Sequence, residues 1–212
     1  MFKLTLCGLN NELITAWEEY CGDLDFVEVF QGSILEVDCD AVVSPANSFG
    51  FMDGGIDALY MKRFGPDLQM TVRRQIYEHH AGELIVGNAD IVETGASYIP
   101  FLIIAPTMRV PMILKDTVHP YLAARAAFLL LLKGSFISGN FQGEKVSDHV
   151  KTVAFPGLGT GVGRVSPFIC AKQVRKAIDH TFFGPCKMPE SWAEASEEHQ
   201  LLYSDKAADL QY

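Results

Sequence analysis

The chain lacks several things that would place it quickly. Its five cysteines, Cys7, Cys21, Cys39, Cys170 and Cys186, form no C-x-x-C pair and are odd in number. Neither a disulfide framework nor a zinc site finds support, and free thiols in a reducing compartment are expected. Basic residues are scarce: 17 Lys and Arg face 26 Asp and Glu, a formal net charge of -9. That balance argues against binding a nucleic-acid polymer, which needs clustered cations to displace counterions. It does not exclude a small anion held by backbone N–H groups. The longest apolar run, Ala123 to Leu132, is broken by Arg125 and is too short to span a bilayer. The first residues carry no signal-peptide pattern. A cytoplasmic protein with no membrane partner is expected. No internal repeat and no low-complexity tract occurs.

What is present is a large apolar fraction, 49% of 212 residues, enough for one generous domain and its core. Strand-like and helix-like segments alternate. Lys3–Leu9, Phe26–Phe30, Asp40–Ser44, Glu83–Val86, Ala89–Glu93, Tyr98–Ala105 and Lys151–Phe155 read as strands. Helices are expected from Asn11 to Tyr20, from Gly54 or Gly55 to Gly65, from Asp67 to His80, from Thr117 to Lys133 and from Ser166-Pro167 to Phe182. The class is therefore α/β, with helices on both faces of a mixed sheet. After Gly184-Pro185 the composition turns polar. A domain over 1–185 and a polar tail or peripheral helix over 186–212 are expected.

Two loops stand where such folds bind ligands, after strands and before helices. The first runs from Ser44 to Asp57, SPANSFGFMDGGID. Asn47 offers an acceptor and a donor, and equally suits an Asx turn after a strand. Gly54-Gly55 opens a helix whose free N–H groups favour an anion. Asp57 lies in that first turn, where any helix accepts a carboxylate. The second loop reads Gly157-Leu-Gly159-Thr-Gly161-Val-Gly163-Arg-Val-Ser-Pro167. Alternating glycines allow a nest of N–H groups for a phosphate, or a tight turn with no ligand. G-x-G-x-x-G fails at Val162 and again at Arg164, and no P-loop motif occurs.

Taken together, "DAVVSPANSFGFMDGGID" and "VAFPGLGTGVGRVSP" resemble the macro domain family. Asn47 falls on the last Asn of the family's A-A-N, Gly54-Gly55-Ile56-Asp57 on its G-G-[VI]-D, Thr160-Gly161-Val162 on its S-T-G-[VI], and Gly32-Ser33-Ile34 on its G-D-I. The resemblance spans about residues 26 to 182. It implies a three-layer α/β/α domain with a mostly parallel sheet, binding ADP-ribose or an ADP-ribosylated substrate and needing no cofactor or metal. Ser33 and Ile34 would meet the adenine. The N–H groups of Met52, Gly54, Gly55 and Ile56, and those of Leu158, Gly159, Thr160, Gly161, Val162 and Gly163, would cradle the diphosphate. Asn47 would hold the distal ribose, and Asp57 would orient or deprotonate a water beside it, with Asp53 as the alternative base. The implied activities are hydrolysis at the distal ribose, plain ligand sensing, or removal of a ribose phosphate, in which Arg164 would have a partner. The chain departs from the family at Ser33 (commonly Asp), Ser44 (often Asn), Asp53 (usually glycine), Gly163 (commonly aromatic) and Ala105–Pro111, so it reads as a divergent branch.

Overall fold

A computed structural model describes residues 2–184 and 187–207. The expected boundary between domain and tail, at Pro185 and Cys186, lies outside the described residues, as does the thiol of Cys186. The strands are β1 (Lys3–Gly8), β2 (Val27–Gln31), β3 (Ala41–Ser44), β4 (Asp90–Glu93), β5 (Phe101–Ile104) and β6 (Thr152–Phe155). The helices are α1 (Asn11–Cys21), α2 (Gly55–Phe64), α3 (Asp67–His79), α4 (His119–Lys133), the short α5 (Val146–His149), α6 (Pro167–Phe182) and α7 (Trp192–Leu201).

The strands form one six-stranded sheet in the order β2-β1-β6-β3-β5-β4. All pairings are parallel except β4 with β5. Strand alternation sends Leu4, Leu6, Ala41, Val43, Ile103 and Phe155 to one face, where α1, α4 and α6 cover them. Cys7, Val42, Leu102, Ile104 and Ala154 point to the other face, under α2 and α3. Both faces being covered, the strands read as continuous apolar runs and not as alternations. The result is the three-layer arrangement expected. Asp40 fixes the central register at the amino end of β3. Its Oδ2 accepts from Lys151 N, Thr152 N and Thr152 Oγ1, each at 2.8 Å.

Helix starts follow local chemistry. Asn10 caps α1 by accepting from Leu13 N, and Ser166 caps α6 by accepting from Ile169 N, with Pro167 in the first turn. Glu83–Val86 is no strand. Gly82 and Gly87 bracket it with φ of 87° and 98°, so it turns at both ends, and only Leu84 is buried as it crosses the sheet edge. The tail carries α7, which buries none of its residues and touches the domain through Lys172, whose Nζ donates to Ser204 O.

Candidate functional site

Five parallel strands deliver their carboxyl ends to one side of the sheet, and a cleft of about 370 Å³ opens across all of them. In strand order, β2 supplies Gly32, Ser33 and Ile34, and β1 supplies Cys7 to Asn10. The β6 loop supplies Pro156, Gly157 and Gly159 to Gly163. The β3 loop contributes Pro45 to Asn47, Phe51 and Asp53, and α2 contributes its first residues through Asp57. Beyond β5 come Thr107, Met108 and Pro111.

The β6 loop is folded by its own glycines. Gly159 sits at φ 69°, and Val165 N returns to Gly159 O at 3.1 Å. Arg164 N closes on Gly161 O at 3.1 Å. Between these closures, among the described residues, the N–H groups of Gly159, Thr160, Gly161, Val162 and Gly163 have no acceptor within the protein. The same is true of Gly55, Ile56 and Asp57, the first turn of α2. Two sets of free donors thus border one cleft, and α2 adds the positive end of its dipole. No Lys or Arg lines the cleft, whose charged residues are Asp53 and Asp57. Any anion here is held by backbone donors.

Asp57 is buried, with 5% exposure. Its Oδ1 accepts from Ser44 Oγ at 2.5 Å, and no donor of the described residues is bound to Oδ2. Burial pushes its carboxyl up to about 7, against the opposing effect of the Ser44 hydrogen bond. Asp53 lines the same cleft but is exposed.

Asn47 lines the cleft, yet its side chain is largely spent on its own loop. Oδ1 accepts from Phe49 N and Phe51 N at 3.1 and 3.2 Å, and Nδ2 donates to Phe51 O at 2.8 Å. This is the Asx turn, and one amide hydrogen remains for a ligand. Ser33 is likewise engaged, forming a capping box with Glu36 at the single 3-10 turn over Ile34–Glu36. Of the residues singled out from sequence, Met52, Leu158 and Arg164 do not line the cleft. Met52 and Leu158 are buried in the two cores, and Leu158 N donates to Cys170 Sγ. Arg164 is exposed.

Sequence reasoning missed two stretches of the floor, Gly8-Leu9-Asn10 after β1 and Thr107, Met108 and Pro111 after β5. The strand-to-loop rule that found the other two loops applies to these as well. Among the described residues, no group of three or more His, Cys, Asp or Glu could hold a metal ion, and no helix is long and apolar enough to cross a membrane.

The comparisons with known proteins agree with this architecture. An uncharacterized protein of Aquifex aeolicus is 35% identical over 152 residues, covering 72% of this chain and 80% of the relative. One of Aeropyrum pernix is 28% identical over 149 residues, covering 70% and 68%. The macrodomain of Mycobacterium tuberculosis DarG is similar in fold, with a TM-score of 0.56 at 19% identity, over 71% of this chain and 88% of that one. An Oceanobacillus iheyensis macrodomain mutant with ADPR gives 0.52 at 21% identity, over 69% and 73%. The family model described as Macro domain matches residues 43–174. That stretch runs from β3 into α6 and carries both glycine loops, and the chain belongs to the macro domain family.

Proposed function

We propose that the cleft binds ADP-ribose or a related NAD-derived nucleotide and hydrolyses a bond at its distal ribose. The observation that carries the reading is the meeting of two sets of unpartnered backbone N–H groups in a cleft without cations. A diphosphate is the ligand such donors suit, since they spread around several oxygens without requiring net positive charge. In this reading, which takes the nucleotide's direction from the match of Gly32-Ser33-Ile34 to the family's adenine segment, the base lies toward the β2 end, over Ser33 and Ile34, and the distal ribose toward the β5 end, near Asn47 and Thr107.

Asp57 is the group we assign to chemistry. A carboxyl raised to about 7 is a base matched to neutral pH, and Ser44 orients it through one oxygen. It would take a proton from the water that attacks the anomeric carbon, while the bond from that carbon to the acceptor breaks and the acceptor leaves with a proton. ADP-ribose and the free acceptor would be released, and Asp57 would return its proton to solvent. Asp53, exposed to solvent, lacks that environment. A second reading is a non-catalytic sensor, favoured by the engagement of Asn47 in its own loop, which leaves little of its side chain to orient a ribose. Removal of a ribose phosphate has less support, because no cation lines the cleft to meet the phosphate. The buried free thiols of Cys7, Cys21, Cys39 and Cys170 suit action in the reducing cytoplasm.

Calorimetry with ADP-ribose, paired with a turnover assay on an ADP-ribosylated protein, tests the reading. Binding with release of ADP-ribose supports the hydrolase, and binding without release supports the sensor. No binding at all sinks both.

A further inference from the structure

The segment after β5 is the chain's clearest departure from the family pattern, and its placement suggests a purpose. Ser48 N donates to the carbonyls of Met108 and Arg109 at 3.0 and 3.2 Å, tying one end to the β3 loop. Leu114 N donates to Gly163 O at 2.7 Å, tying the other end to the β6 loop. Between these anchors Val110, Pro111, Met112 and Ile113 are all exposed, and Pro111 lines the cleft. They make an apolar lip between the two loops at the β5 end.

Leu114 itself is buried and occupies the space beside Gly163. A Cβ at 163 would lie 2.9 Å from Leu114 Cδ1 and 2.5 Å from Gly159 O, so no side chain fits there. The aromatic residue that the resemblance leads one to expect at this position therefore has no room. Phe51, 50% exposed, and Val162, 60% exposed, also line the cleft. Nearby cations already have partners, and one of these partners is the Phe51 ring itself. Arg109 pairs with Glu83 at 2.7 Å and lies over the Phe49 ring, while Arg73 stacks on Phe51 and donates to Phe49 O. The charges that do line the cleft are the carboxylic groups of Asp53 and Asp57.

We propose that Phe51, Val162 and Pro111, the lip residue that lines the cleft, form an acceptor subsite that selects an uncharged, apolar substituent on the distal ribose over a phosphate. This rests on the nucleotide-binding reading above, in which the distal ribose points toward β5. Exposed apolar side chains gain from covering an apolar group. A phosphate at the same place would lose its water to apolar carbon and face like charge from Asp53.

The test compares three probes by calorimetry: free ADP-ribose, its distal benzyl glycoside, and its distal 1″-phosphate. The wild-type protein is expected to bind the benzyl compound about tenfold tighter than ADP-ribose, the effect of covering roughly 60 Å² of apolar surface. The phosphate should bind more weakly than ADP-ribose. In Pro111→Ser/Val162→Ser, two exposed positions that line the cleft and whose change should spare folding, the benzyl preference should fall toward one. Equal or tighter binding of the phosphate, or a preference that the double variant leaves intact, overturns the subsite while the nucleotide site stands. Failure of all three probes to bind overturns both.

Discussion

Asp57→Asn removes a charge and almost no volume; burial gives that charge a cost, and the proposed hydrolysis would give it a use. The carboxyl sits at about 7 in the folded protein against an ordinary value of 3.8. The folded state therefore holds the proton more tightly than the unfolded chain. Below about pH 4 both states are protonated and the group is neutral in its effect. Between about 4 and 7 the unfolded chain ionises first, so stability falls as pH rises, and above 7 the full penalty is present. Three pKa units correspond to about 4 kcal/mol, which is an upper figure because Asp57 borders the cleft. Asn at this position keeps the acceptor for Ser44 Oγ but has nothing to ionise. Melting curves of both proteins between pH 4.5 and 8.5 should diverge. Wild type should lose up to about 3 kcal/mol relative to the variant across that range, roughly 6–12 °C for a chain of this size. If the base assignment holds, turnover in the same variant drops by about 10²- to 10⁴-fold, with a modest change in affinity. Parallel melting curves would refute the buried-carboxylate argument, whatever the kinetics show.

Other substitutions probe the loops and the sheet. Gly161→Glu should fold normally, since a Cβ there meets nothing within 4 Å. It should nonetheless weaken ADP-ribose binding at least about a hundredfold by placing bulk and negative charge among the free donors; unchanged calorimetry would move the diphosphate elsewhere. Gly163→Ala should cost about 1–3 kcal/mol in urea denaturation, because Gly159 O and Leu114 leave no room for a methyl group. Asp40→Ala removes the acceptor of three hydrogen bonds that join β3 to β6, and a loss of about 2–3 kcal/mol is expected; a loss below about 0.5 kcal/mol would mean that the register is held by packing alone.

Much of this architecture was legible in the chain, for identifiable reasons. Buried strands announce themselves as short apolar runs, and Asn10 and Ser166-Pro167 mark helix starts by capping chemistry that is local in sequence. Glu83–Val86 misled because its apolar content resembles a strand, while the left-handed glycines on either side decide its course. At the site, the glycine loops were visible because each is contiguous. Side-chain duties were legible only in part: the Asx turn at Asn47 could be read beside its ligand role, whereas the capping box at Ser33 was not read. Asn47 and Ser33 carry the right residue types for ligand contacts, yet their nearest backbone neighbours claim them first. The floor at Gly8–Asn10 and the segment after Met108 also follow strands, but they lack the glycine pattern that marks the other loops, and their sharing one cleft depends on strand order, which brings together segments about a hundred residues apart.

That strand order also dictates when a working molecule can exist. Among the described residues β6 is the last strand to be synthesised, yet it lies between β1 and β3, and the loop that follows it completes the cleft. Until Thr152–Phe155 inserts, β1 and β3 each present an unpaired edge to other chains. Pairing across so long a separation is entropically slow, so the nascent N-terminal portion passes through its most aggregation-prone stage before any ligand can help it. A nucleotide bound by donors from both loops stabilises only the finished domain. Ligand added during refolding should therefore raise the yield by trapping molecules that have already closed the sheet, and leave the rate of closing unchanged.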